Sequence, residues 1–219
     1  MSDIKYAALV VNWMTQDRTI RAIKSLRNFY PDIHVFIVDD GTPASNYGDF
    51  MEFYKADEYR PEVIFDPDLD RLKNVENSTF IGLAHHISHG AAIDYAIPMM
   101  RDYEWILHFD SDVRLTSPGL IEYALEGLGD DFCQVGNEKI QEHGYAHIAN
   151  FCMMFRPNLA YMYSASFKPI YIDRLEAGHR YVTTLEDNGF KIKYKDLSQF
   201  YVHLRWGNEE QKKLWKLFY

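Results

Sequence analysis

Apolar positions in the first half of the chain follow two alternating rhythms. Tyr6 to Trp13 (YAALVVNW) is a short, nearly unbroken apolar run, the signature of a strand buried on both faces of a parallel sheet. From Arg18 to Tyr30, Ile20, Ile23, Leu26 or Arg27, and Tyr30 recur at helical spacing, and Pro31 stops the helix. Ile33 to Val38 (IHVFIV) is a second apolar run that ends in Asp39-Asp40-Gly41-Thr42-Pro43. Strand, helix, strand is the unit that closes right-handed onto a parallel sheet.

The rhythm then weakens. Residues 44–60 are polar and poorly periodic, Glu62 to Phe65 reads as a short strand, and Asp66 to Thr79 as an Asp- and Asn-rich loop. Ile81 to Met100 has a helical pattern with Pro98 near its end, and Trp105 to Phe109 (WILHF) is a strand terminating at Asp110-Ser111-Asp112. Ser117-Pro118, a capping hydroxyl followed by a first-turn proline, starts a helix over Gly119 to Leu128. Further on, Phe132 to Val135, Ala146 to Phe155 and Phe190 to Tyr194 read as strands, and Ser198 to His203 as an extended piece. Arg174 to Asn188 is helical with Gly189 at its C-terminal cap, and Asn208 to Tyr219 is a closing helix. Without an internal repeat or low-complexity linker, the expectation is one α/β domain over residues 1–219.

Composition narrows the function classes. The chain has 219 residues, 47% apolar and 25% charged, an ordinary globular balance. No apolar run reaches the roughly 20 residues that span a bilayer, so no transmembrane segment is expected, and Met1-Ser2-Asp3-Ile4-Lys5 does not read as a signal peptide. Cys133 and Cys152 alone cannot build a disulfide framework, which makes a cytoplasmic setting the expectation. A net charge of −9 disfavours nucleic acid as a partner. An acidic protein that handles a phosphorylated substrate usually needs a metal ion between them.

In an open parallel sheet, ligands sit outside the carboxyl ends of the strands. Two of the predicted strands end in acids, Asp39-Asp40 and Asp110 with Asp112. Carboxylates gathered so closely repel unless a cation or donor groups hold them. A hard divalent ion, Mn2+ or Mg2+, accepts carboxylate and phosphate oxygens together. The Asp-x-Asp spelling alone selects nothing, since 19 Asp in this chain give about 1.6 such triplets by chance. Three occur, at 66–68, 68–70 and 110–112, and only the last directly follows an apolar strand and precedes a capped helix.

These pieces resemble the GT-A-type glycosyltransferases, in particular the inverting family 2 group. The likeness rests on the opening strand with Asn12, the strand IHVFIVDDGTP, the strand and triplet WILHFDSDVRL, and Ser88-His89-Gly90-Ala91-Ala92-Ile93-Asp94. That last stretch is similar to a Ser-His-Gly-x-x-Leu-Asp signature in some bacterial members. The resemblance covers about Lys5 to His203 and is looser beyond Val135. It implies a Rossmann-like, mainly parallel mixed sheet flanked by helices, with a nucleotide-sugar-binding half over about 1–115 and an acceptor and catalytic half over about 116–219. It implies transfer of a sugar from a UDP-, GDP- or dTDP-sugar to a hydroxyl of a glycan or small molecule.

Position by position, the resemblance puts Asp39 or Asp40 on the base or ribose, with Asn12 and Ser111 among the donor contacts. Asp110 lies near the ribose or the metal, and Asp112 is the direct metal ligand. His203 is a third ligand or diphosphate contact, and Arg205 reaches phosphate. His89 and Gly90 let their helix approach the donor or the sheet. For the base that deprotonates the acceptor, the resemblance implies a Glu-Asp pair or an Asp at the start of the helix that ends at Gly189-Phe190-Lys191-Ile192; no such pair stands there, which leaves Glu176 first and Asp173 second.

Other features have plainer readings. His85 and His89 have the spacing of two metal ligands on one helix face, but no third ligand is evident, and His85 and His86 read as surface positions. Cys152-Met153-Met154-Phe155 reads as strand core, and Glu138, Glu142, His143 and His147 as solvated loop charge. Lys212, Lys213, Trp215, Lys216, Leu217 and Phe218 give a basic, aromatic final helix suited to the sheet, a homodimer contact or a membrane surface. The rival readings are a non-catalytic nucleotide-sugar- or glycan-binding module and a sugar-phosphate nucleotidyltransferase. The latter lacks its Gly-rich basic loop after the first strand.

Overall fold

The computed structural model describes residues 5–13, 15–41, 69–84, 87–140, 146–168 and 178–203. In order, these form β1 (Tyr6–Asn12), α1 (Gln16–Arg27), β2 (Val35–Asp39), α2 (Asp70–Lys73), β3 (Ser78–Gly82), α3 (His89–Met100) and β4 (Trp105–Phe109). They continue as β5 (Val113–Leu115), α4 (Leu120–Leu125), β6 (Phe132–Ile140), β7 (Ala146–Phe155), α5 (Pro157–Tyr163), α6 (His179–Asp187), β8 (Lys191–Tyr194) and β9 (Tyr201–His203).

Seven strands make one sheet in the order β3-β2-β1-β4-β7-β6-β8, and only β7 runs against the rest. The mainly parallel, mixed sheet expected from the sequence is what the chain builds. Every residue of β2 and β4 is buried, because both faces of the sheet are covered. Ala7, Leu9, Val11, Phe36, Val38 and Ile106 pack on the side of α3 and α6. Ala8, Val10, Val35, Ile37, Leu107 and Phe109 pack on the side of α1 and α4. In α1 the buried Thr19, Ala22, Ile23 and Leu26 follow the i, i+3, i+4, i+7 rule, and Asp17 in the first turn with Lys24 and Arg27 in the last suit the helix dipole.

A small antiparallel pair, β5 with β9, stands apart from the main sheet. It is fixed over α1 through Ser25, whose Oγ donates to the Ala22 carbonyl at 2.7 Å and accepts from the Leu115 amide at 3.1 Å. Beside it, the Tyr30 hydroxyl donates to Glu122 Oε2 at 2.8 Å and accepts from the Ile121 amide at 3.0 Å, joining the segment after α1 to α4. Burial pushes that hydroxyl well above the usual tyrosine range.

Asp94, the last residue of the Ser88–Asp94 stretch, ties α3 to the segment after α5. Its Oδ1 accepts from the Phe167 amide at 2.7 Å and its Oδ2 from the Ser166 hydroxyl at 2.5 Å. The Gly178 amide in turn donates to the Phe167 carbonyl at 3.1 Å, so the two flanks of residues 169–177 are joined. Asp94→Ala strips both donors of their acceptor and should cost about 1–2 kcal/mol in urea unfolding. Burial raises the Asp94 carboxyl above its ordinary value of 3.8 against the pull of its hydrogen bonds. A raised acid stabilises most when protonated, so its contribution is fully present below 3.8 and falls as pH climbs through the raised value. Asp94→Asn, always neutral, should flatten that part of the stability–pH curve, which unfolding midpoints between pH 4 and pH 7 measure.

Several expectations need correction. Ser78–Gly82 is a parallel edge strand, not the end of a loop and the start of a helix, and α3 begins at His89 instead of Ile81. Ser117 does not cap α4: its Oγ donates to the Gln199 carbonyl, and Gly119, at φ 88°, takes the cap position. Pro157–Tyr163 is an additional helix. The strand expected at 62–65 and the helix expected at 208–219 lie outside the described residues.

Candidate active site

Three strand ends meet at one rim of the sheet. Pairing of β1 with β2 sets Asn12 against Asp39, and the Asn12 Nδ2 donates to Asp39 Oδ1 at 2.7 Å. The Asn12 Oδ1 accepts from the Thr19 hydroxyl of α1 at 2.7 Å, which fixes the amide's orientation. Thr15 Oγ1 lies 3.5 Å from the same oxygen and 3.2 Å from Ser111 Oγ, linking the β1–β2 end to the turn after β4. Asp40 is held differently: its amide donates to the Asn12 carbonyl at 2.8 Å and its Oδ1 accepts from the Ile87 amide at 2.8 Å. Both aspartates are buried.

The turn Asp110-Ser111-Asp112 leads directly into β5, and β5 pairs with β9 so that Val113 faces His203. This register brings His203 Nε2 within 3.2 Å of Asp112 Oδ1. The His203 ring is buried and stacked on Phe151, with centroids 4.5 Å apart and planes at 14°. Asp110, Asp112 and His203 each offer a ligand atom, all within 4.8 Å of one another. Two carboxylates and an imidazole form a donor set that a divalent cation accepts.

A second group adjoins it. His108, next to the last residue of β4, is fully buried, and its Nε2 lies 3.0 Å from His89 Nε2 at the first turn of α3. Asp110 Oδ1 is 3.4 Å from each of these nitrogens and is buried without a hydrogen-bond partner. Partial burial, aided by neighbouring His108, holds the His89 imidazole below its ordinary value, against the attraction of Asp110, Asp40 and Asp112. Burial pushes Asp110 the other way, but His89, His108 and His203 outweigh it and keep that carboxyl below its ordinary value. Ser88, which precedes α3, sits at φ 100°, a conformation costly for a residue with a Cβ, while its Oγ accepts from the Ala91 amide.

Of the site residues expected from sequence, Asn12, Asp39, Asp40, His89, Gly90, Asp110, Ser111, Asp112 and His203 stand at this rim or border it. Glu176, Asp173 and Arg205 lie outside the described residues, as do His85, His86, Glu142 and His143. Cys152, Met153, Met154 and Phe155 are core, as expected, and burial lifts the Cys152 thiol far above its usual range. Thr15, Thr19, His108 and Phe151 were not anticipated. A histidine inside the apolar run WILHF, two residues before Asp110, was the one signal available for His108.

No protein-family model matches the chain, and no curated protein does. Solved structures do. A mannosyltransferase from Pyrobaculum calidifontis, PcManGT, in complex with GDP-Man and Mn2+, superposes with a TM-score of 0.58 at 13% identity over 88% of this chain and 55% of that one. TarS 1-349 from S. aureus gives 0.54 at 13% identity over 98% of this chain and 64% of that one. The same protein in complex with UDP-GlcNAc gives 0.53 at 12% identity, over 98% and 65%. This chain thus spans less than two thirds of each. Its fold is that of the GT-A-like glycosyltransferases.

Proposed function

We propose that the protein transfers a sugar from a nucleoside-diphosphate sugar to an acceptor hydroxyl, with inversion, using Mn2+ or Mg2+ bound by Asp110, Asp112 and His203. The observation that carries this reading is the meeting of those three side chains at the rim of a GT-A-like sheet. Structural neighbours that bind GDP-Man with Mn2+ and UDP-GlcNAc support the donor class. The residues suit a hard cation: two carboxylates balance its charge and a buried imidazole limits its position. When bound, such an ion neutralises the diphosphate and stabilises it as a leaving group.

The chain's own residues do the rest. The Asn12–Asp39 pair and Asp40 present oriented acceptor oxygens to the base or ribose, and Ser111 contacts the donor beside them. His89 and Gly90 bring the start of α3 to the donor's edge, and Arg205 contributes positive charge to phosphate. Glu176, with Asp173 as the second choice, takes the acceptor's proton at a carboxylate oxygen. The acceptor oxygen then attacks the anomeric carbon on the face opposite the departing diphosphate. Among the described residues no helix is long and apolar enough to cross a membrane.

A thermal-shift screen of UDP-, GDP- and dTDP-sugars with Mn2+, paired with assay of released nucleotide, tests the proposal. One nucleotide class at about 100 times its Kd should stabilise by about 2.7 kcal/mol, or roughly 5–10 °C at this size. Free nucleotide should accumulate, and chelator should stop it. No shift with any donor would overturn the reading, and a shift without nucleotide release under any acceptor would identify a binding module.

A further inference from the structure

We propose that His89, His108 and Asp110 form a second cation site, one whose imidazole-rich donor set takes a borderline transition ion of the Zn2+ type rather than Mg2+. The three facing atoms, His89 Nε2, His108 Nε2 and Asp110 Oδ1, make a triangle with sides of 3.0, 3.4 and 3.4 Å. Ligand atoms at about 2.0–2.1 Å from a tetrahedral zinc are about 3.3–3.4 Å apart, so the triangle already has nearly the size of one tetrahedral face. Few rearrangements are needed for an ion to sit against it.

The proton pattern agrees. His108 Nδ1 lies 3.3 Å from the Leu9 carbonyl, which can only accept, so that nitrogen carries a proton, and in the neutral ring it is the only one. His108 Nε2 therefore presents a lone pair, and a ligating histidine whose other nitrogen donates to a backbone carbonyl is the usual outer arrangement of a metal site. Because Nε2 of His108 accepts, Nε2 of His89 is the donor in the 3.0 Å contact. Moving that proton to Nδ1 of the same, 38%-exposed side chain turns the second nitrogen into a ligand with no net proton released. Asp110 Oδ1 is buried there with no hydrogen-bond partner, an arrangement that a cation would relieve. The fourth tetrahedral position is left for water or another small ligand. His108 cannot serve the hard-cation site by itself, since the group that contains Asp112 and His203 does not include it. Asp110 is common to both groups, so filling one changes the affinity of the other. The inference needs only these side chains and stands or falls independently of sugar transfer.

Titration of the full chain with Co2+, followed by its visible ligand-field absorption and by Zn2+ displacement, tests this site. Wild type and Asp112→Asn should both develop the tetrahedral spectrum, Zn2+ should abolish it, and excess Mg2+ should not. His89→Ala should lose the spectrum and weaken Zn2+ binding about 100-fold or more, beyond the roughly 10–100-fold that loss of an outer-shell partner costs. His89→Cys should restore binding, with added thiolate-to-cobalt absorption. Absence of the spectrum in wild type, its persistence in His89→Ala at unchanged affinity, or its loss in Asp112→Asn would each overturn the assignment.

Discussion

Asp112→Asn is expected to reduce metal-dependent turnover of the nucleotide sugar by at least about 100-fold in kcat/KM, equivalent to about 2.7 kcal/mol of transition-state stabilisation. The amide has nearly the carboxylate's shape, so the change removes charge and one hard oxygen ligand while β5 and its turn keep their geometry. Asp112 pairs with His203 at 3.2 Å. Both side chains are largely buried, so losing the charge should also lower stability, by about 1–3 kcal/mol in urea unfolding. Kinetics, circular dichroism and unfolding on one preparation separate the two effects. Full turnover by the variant, insensitive to chelator, would remove the cation from the mechanism.

Asn12→Ala should be the most costly single change at the β1–β2 end. It deletes the amide that donates to buried Asp39 at 2.7 Å and the oxygen that accepts from Thr19 at the same distance. A hydrogen bond to a charged group contributes about 1.5–3 kcal/mol, so a loss of about 2–3 kcal/mol in unfolding is expected, together with weakened nucleotide binding. Asn12→Asp makes a sharper test. It sets two buried carboxylates against each other, and they cannot both ionise cheaply. The new pair titrates at higher pH in the folded chain than in the unfolded one. The variant should therefore come nearest to wild type at about pH 4 and fall progressively behind as pH rises to 7. A pH-independent difference would mean that Asp39 is not charged beside it.

How much of this could be read beforehand depended on burial. β1, β2 and β4 are covered on both faces, so their apolar runs are nearly unbroken and identify themselves, and the acids that end them follow. β3 is an edge strand with only Ile81 buried among its five residues, so the pattern STFIG carries no strand signal of its own and merges with the helix after it. α5 was marked only by Pro157 at its first turn. The candidate site divides the same way. Asp110 and Asp112 were legible because they adjoin a strong strand, whereas His108 was hidden by the apolar run that encloses it. The register of β5 on β9, which delivers His203 to Asp112, is a long-range pairing that local pattern does not encode. Nothing in the spelling of residues 198–203 announces a partner so far back in the chain.

That same pairing has a kinetic corollary. His203 and Asp112 are separated by about 90 positions, so closing them together carries the entropy of a large loop and belongs among the slow, high-contact-order events of folding. β9 docks on β5, which is made long before it, so the pairing waits until the chain has reached residue 203. Cation capture by Asp110, Asp112 and His203 should then appear late during refolding, after the bulk of the secondary structure. An ion held by Asp110, Asp112 and His203 would act as a reporter that synthesis and collapse have run to completion, since a chain interrupted before residue 201 lacks one of those three ligands.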